Sequence, residues 1–151
     1  MTKIQNSPAT APVIQVQVVA TPEIDPTSKK VKYITTFTPE KIKATQPDTI
    51  LSYELVTPTP SGVKFKSVKV TGKKPEQISP PTISQSGKVM VLTDANTFRE
   101  VLSLTIRFKD SDAVEFDVDP EVENDPGEFE SHDSPAPTVM REPEVGNDPG
   151  E

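Results

Sequence analysis

The chain has 151 residues, of which 32% are hydrophobic, with 17 prolines, no cysteine and a formal net charge of −7. The length suits one domain, and the low apolar share leaves part of the chain too little buried surface to offset the conformational entropy of folding. Without cysteine, disulfides, thiolate metal sites and cysteine nucleophiles are excluded, and no run reaches the ~18 apolar residues of a membrane-spanning helix.

The charge is divided along the chain. Residues 1–109 carry 15 Lys/Arg against 8 Asp/Glu, whereas residues 110–151 carry 1 against 15. A basic body therefore precedes an acidic tail. The first residues, MTKIQNSPATAP, are polar, without period and without the apolar stretch of a signal peptide. Residues 1–11 are expected to be disordered. The expected location is cytoplasmic, or secreted only if a signal has already been removed or export uses none.

From there seven β-rich runs follow in order: VIQVQVVA (13–20), KKVKYITTF (29–37), DTILSYELV (48–56), VKFKSVKVTG (63–72), KVMVL (88–92), VLSLTIRF (101–108) and AVEFDVD (113–119). Prolines from Pro39 to Pro81 fall between the runs and not within them, as strands require, because proline donates no ladder hydrogen bond. Thr38, Pro39 and Glu40 in FTPEKIKAT read as the N-cap and first turn of a short helix over about 39–44. TDANTFRE (93–100) reads as a turn or a single helical turn. The fourth run changes phase, with Val63 and Phe65 odd but Val68 and Val70 even, which predicts a β-bulge near Lys66–Ser67 or a change of partner. KVMVL is apolar on both faces and is expected to lie centrally in its sheet.

The sixth and seventh runs set a register. Leu102, Leu104, Ile106 and Phe108 share one face, as do Val114, Phe116 and Val118. A three-residue loop, Asp110–Asp112, pairs Phe108 with Val114, Ile106 with Phe116 and Leu104 with Val118, and puts Arg107 opposite Glu115. In that loop Asp112, or Ser111, takes the left-handed conformation. Seven short strands with turn signals predict an all-β fold: a seven-stranded antiparallel immunoglobulin-like β-sandwich over residues 12–122, with a small Greek-key barrel as the alternative. Residues 123–151 are expected to form an acidic, Pro-rich disordered tail.

That region contains a repeat. DPEVENDPGE (119–128) recurs as EPEVGNDPGE (142–151), matching at eight of ten positions. The motif residues are Pro120, Val122, Asn124 and Pro126 in the first copy, and Pro143, Val145, Asn147 and Pro149 in the second. The first copy starts on the seventh run's alternation, so Val122 is expected to continue that strand or dock on the sandwich edge. The second copy is expected to be free.

Few constellations point to catalysis. His132, the one histidine, lies in the acidic tail with no scaffold to orient it, and Gly62, Gly72 and Gly87 are isolated turn glycines. The chain is read as no enzyme. Lys64, Lys66, Lys69, Lys73 and Lys74, joined by Lys88, form a candidate anion or nucleic-acid patch. Only Phe65 interleaves with them, so a charged face that discourages edge pairing is the preferred reading. Tyr33 and Tyr53 fall on inward positions and are read as core.

Asp110, Asp112, Glu115, Asp117, Asp119, Glu121, Glu123 and Asp125 bring hard oxygen ligands close together, a chemistry that suits Ca²⁺. VENDPGEF, Val122 to Phe129, resembles the inter-repeat linker of cadherins. That resemblance implies a Ca²⁺-dependent adhesion-type module. Glu123 stands where the family's Asp is usual, one residue is missing before Pro126, and no second repeat follows. No cofactor is therefore expected, with Ca²⁺ as the alternative.

Together these features predict a non-catalytic interaction or structural module that presents a duplicated PEVxNDPGE motif to a protein partner or to itself. A body that binds anions or nucleic acid and is masked by its own acidic tail is the alternative, with nucleic acid not the expected partner.

Overall fold

The computed structural model describes residues 11–127. All seven runs form strands: β1 (Val13–Ile24), β2 (Val31–Thr38), β4 (Thr49–Leu55), β5 (Lys64–Thr71), β7 (Val89–Asp94), β8 (Glu100–Lys109) and β9 (Glu115–Val118). Three short strands join them: β3 (Ile42–Ala44), β6 (Thr82–Ile83) and β10 (Glu121–Asn124). Among the described residues there is no α-helix, and Pro75–Gln77 forms a 3₁₀ turn.

The strands make two sheets. One has the order β2-β1-β4-β7-β6; the other has the order β3-β10-β8-β5, with β9 also paired to β8. Neither sheet closes on itself, so the barrel alternative does not hold. Nor is the pairing antiparallel throughout, because β1 runs parallel to β4 and β10 runs parallel to β3. The reason lies in the path. β1 and β2 form a hairpin, the chain then lays β3 in the other sheet, and β4 returns beside β1 in the same direction. Pro22 lies within β1, but β1's pairing with β4 ends at Val18, so the proline's missing N–H disrupts no ladder on that side.

One core draws on both sheets. Val16, Val18, Leu51, Tyr53, Met90 and Leu92 come from the first, and Leu102, Leu104, Ile106, Phe108 and Val122 from the second. The alternation of β8 is complete, with all four of its even apolar residues fully buried. The expected bulge is present: the β5–β8 register shifts between Phe65 and Ser67, with Lys66 as the extra residue. β7 lies between β4 and the two-residue edge strand β6, flanked on both sides but not at the sheet centre.

Further sequence expectations fail. The predicted helical turns over 39–44 are absent, and β3 occupies the segment. Ile42 and Ala44 alternate with exposed Lys41 and Lys43, and the period of two wins because β10 offers Ile42 and Ala44 strand partners. The β8–β9 register is also two residues from the expected one, pairing Phe108 with Phe116, Ile106 with Val118 and Arg107 with Asp117. Phe116 and Val118 keep their face because the slip is even, whereas Val114, expected beside them, lies in the loop and is exposed. The longer loop is held by Asp110. Its Oδ1 accepts from the N–H groups of Asp112 and Val114, both at 2.9 Å, and its own N–H donates to the Val114 carbonyl. Ala113 (φ 65°), and not Asp112, takes the left-handed conformation. No helix among the described residues is long and apolar enough to cross a membrane.

Candidate functional site

β9 and β10 are one strand with a break. The pairs Ile106–Val118 and Leu102–Val122 continue a single register along β8. Between them Asp119 accepts from the Thr105 hydroxyl at 2.7 Å, and the Pro120 carbonyl accepts from Leu104 N–H at 2.9 Å. The break falls where proline has no N–H to give. The first copy of the repeated decapeptide therefore begins inside the sheet. The expected domain boundary at 122 cuts through β10, and the fold extends past it.

Alternation then decides what β10 buries. Glu121 and Glu123 face solvent, whereas Val122 and Asn124 are fully buried. Val122 joins the shared core. Asn124 enters a buried polar cluster, where its Nδ2 donates to Gln77 Oε1 at 3.0 Å and to Asp94 Oδ1 at 2.9 Å. Gln77 Oε1 also accepts from the N–H groups of Thr97 and Phe98, both at 2.9 Å, and Gln77 Nε2 donates to Glu100 at 3.0 Å. Asn96 N–H donates to Asp94 Oδ1 at 3.0 Å, and Asn96 Nδ2 donates to the Ala44 carbonyl at 3.1 Å. The cluster thus ties β3, β7, the 3₁₀ turn and β10 together.

Its acceptors outnumber its donors. Asp94 Oδ2, Asn96 Oδ1 and Asn124 Oδ1 are buried with no hydrogen-bond partner among the described residues. Burial pushes the Asp94 carboxyl above its ordinary value, and the Asn124 and Asn96 hydrogen bonds pull back only in part. The Tyr53 phenol is raised by its own burial and then by the same carboxylate.

Past the strand the anchoring continues. Asp125 N–H donates to the Ala44 carbonyl at 2.8 Å, and its carboxylate faces Arg99 at 2.9 Å and Lys43 at 3.4 Å. Pro126 is buried. Gly127 has φ +76°, a conformation that side chains disfavour, and its N–H donates to Asp125 Oδ1 at 3.3 Å. Of the motif residues, Pro120, Val122, Asn124 and Pro126 are brought together here. Pro143, Val145, Asn147 and Pro149, like His132, lie outside the described residues.

The lysines sit differently. β5 is the edge of its sheet. Lys66 pairs with Glu115 and Lys74 lies 4.5 Å over the Phe98 ring. The N–H groups of Lys73 and Lys74 donate to the Glu100 carboxylate at 2.7 and 2.9 Å, so that turn already holds an anion of its own chain. Lys64 packs against Gly87, and Lys69 faces solvent opposite Thr105. Lys88 turns its Nζ to the carbonyls of Ser61 and Val63.

The acidic face is likewise engaged. Arg107 grips Asp117 through two bonds at 2.7 and 3.0 Å and reaches Glu115 at 3.3 Å. Among the described residues no group of three or more His, Asp or Glu is set to hold a metal. The Ca²⁺ alternative therefore finds no grouped ligands there, and the cadherin-like segment instead supplies the buried side chains of β10.

Tyr53 is core, as expected. Tyr33 is half-buried, stacks on Phe116 with ring centroids 4.2 Å apart, and donates to Asp110 Oδ2 at 2.7 Å. Burial, then that hydrogen bond, pushes its phenol up to about 12. The polar cluster escapes a sequence reading, because Asp94, Asn96 and Gln77 look like turn residues. The one available signal is Asn124 itself, on the inward parity of Val118 and Val122.

The arrangement defines an all-β module whose closing strand is locked by an apolar and a polar anchor. The chain belongs to the DP-EP family, whose model matches residues 10–126. No curated protein matches it. The family match ends at Pro126, the last buried residue among those described.

Proposed function

We propose that this chain is a non-catalytic interaction module: an immunoglobulin-like β-sandwich whose closing strand is written twice, the second time as a docking segment. Two sheets around one core and the seven strands read from the sequence support the architecture. One observation carries the functional reading. In the first copy of PEVxNDPGE Val122, Asn124 and Pro126 are the buried anchors of a strand slot, while Glu121 and Glu123 face solvent. A sequence with that division of labour is a β-strand ligand, which gains affinity from main-chain pairing and specificity from alternate side chains.

The non-catalytic reading draws support from the surface. The carboxylates of β9 and the basic groups opposite them are engaged with one another, and Glu100 with its neighbouring amides.

The test is partner capture from native lysate by the full chain, by the chain shortened to residues 1–128, and by full-length Val145→Asp, with and without Ca²⁺. Capture that needs residues 129–151 and is lost with V145D supports the reading. Equal capture by all three removes it, and capture only with Ca²⁺ favours the adhesion-type alternative.

A further inference from the structure

The groups that the β10 slot reads can be stated one by one. They are the Val122 side chain in the core, Asn124 in the polar cluster, Asp125 toward Arg99 and Lys43, buried Pro126, and Gly127 at positive φ. Twenty-three residues later the sequence repeats each of them as Val145, Asn147, Asp148, Pro149 and Gly150. The copies differ at two places only. Asp119 becomes Glu142 and Glu123 becomes Gly146, and both Asp119 and Glu123 are exposed in the fold. Every inward requirement is rewritten; Glu123 is exposed, and the change at Asp119, which accepts from the Thr105 hydroxyl, keeps a carboxylate as Glu142. A segment repeated for charge alone has no use for a valine or for glycine at a position of positive φ.

We propose that residues 142–151 are a spare β10, which enters the slot between β8 and β3 of its own chain when residues 119–128 leave it. The proposal rests on the reading of the second copy as a docking segment, and it names the slot and the occupant.

The physics sets the order of preference. The first copy runs on directly from β9, whereas the second must close a loop of 23 residues. Loop closure at that length disfavours the second copy on the order of 10²-fold, and glycine in a strand adds a few-fold. The first copy therefore holds the slot in the native chain. The second takes over when the first is damaged or drawn off by a partner, so the module can release residues 119–128 without leaving the β8 edge bare.

Full-length Val122→Asp, Val145→Asp and the double variant test this by urea unfolding and by amide hydrogen exchange of residues 142–151. V145D alone is expected to leave the unfolding midpoint unchanged. V122D is expected to keep a cooperative transition and to gain exchange protection over 144–148, and the double variant to lose both. Equal midpoints for V122D and V122D/V145D overturn the proposal. If V122D leaves no folded chain, Val122→Asn with and without V145D is compared, and equal midpoints there overturn it too. A rescue that grows with protein concentration and brings a dimer in light scattering assigns the segment to a neighbouring chain and overturns the same-chain placement. Rescue without any partner capture leaves the slot exchange standing and removes only the wider function.

Discussion

β9 and β10 are written in the same letters and held by different forces. Both are four residues long, both place acid and inward-facing residues alternately, and both lie along β8 in one register. β9 keeps Phe116 and Val118 only half-buried and fastens its acids outward to Arg107 and Lys66. β10 leaves its acids unused among the described contacts and sinks Val122 and Asn124 completely. What separates them is the neighbour on the far side. β3 runs beside β10 and covers it, whereas β9 has no strand beyond it among the described residues. An alternating acidic strand is thus an ornament or a keystone according to what stands next to it.

The comparison breaks most visibly at Val122. In the chain shortened to 1–128, where no second copy can substitute, Val122→Asp should cost on the order of 3–5 kcal/mol in urea unfolding, because a charge enters a filled core. A loss as small as that of the matching change at Val118 would mean that β10 is no more essential than β9.

Asn124→Ala in the same background should cost about 1–3 kcal/mol, since Asp94 and Gln77 lose a buried donor. A cost near zero would place the anchoring in the valine alone.

Asp94→Asn should act in the opposite direction. The folded-state pKa of Asp94 is raised above 3.8. The stabilisation that comes with its neutral form is therefore present below 3.8 and lost as pH rises through the raised value. The substituted amide is neutral throughout and adds a donor among orphaned oxygens, so above that window the variant should be more stable by ~1 kcal/mol. Urea midpoints across pH should show the gap opening with rising pH and closing in acid; a constant gap would mean that the charge is not its cause.

The smallest effect belongs to β9. Arg107→Ala removes exposed ion pairs, which contribute little and are screened. Its midpoint shift should be slight and should vanish at ~1 M salt. A large shift that survives salt would erase the contrast between the strands.

Legibility follows range. The seven strands, the bulge at Lys66 and the buried face of β8 are readable because period-two alternation is a local signal. Val122's inward position follows from the same alternation. The β8–β9 register lies two residues from the expected one, since parity restricts a register to every second choice and the Asp110 hydrogen bonds make the selection. The segment at Ile42–Ala44 satisfies helix signals and strand alternation equally, and its distant parallel partner, Val122–Asn124, settles it.

The sequence by itself determined the inward faces of β8 and β10, where prolines forbid pairing, that cysteine chemistry is absent and that one decapeptide occurs twice. These are properties of adjacent residues and need no partner. Tertiary structure alone decided that Asn124 meets Gln77 and Asp94, that β10 lies between β8 and β3, and that Asp94 is buried away from its ordinary pKa. Each of those depends on which distant strand supplies the other half of a contact, and hydrogen bonds and desolvation exist only once that half has arrived.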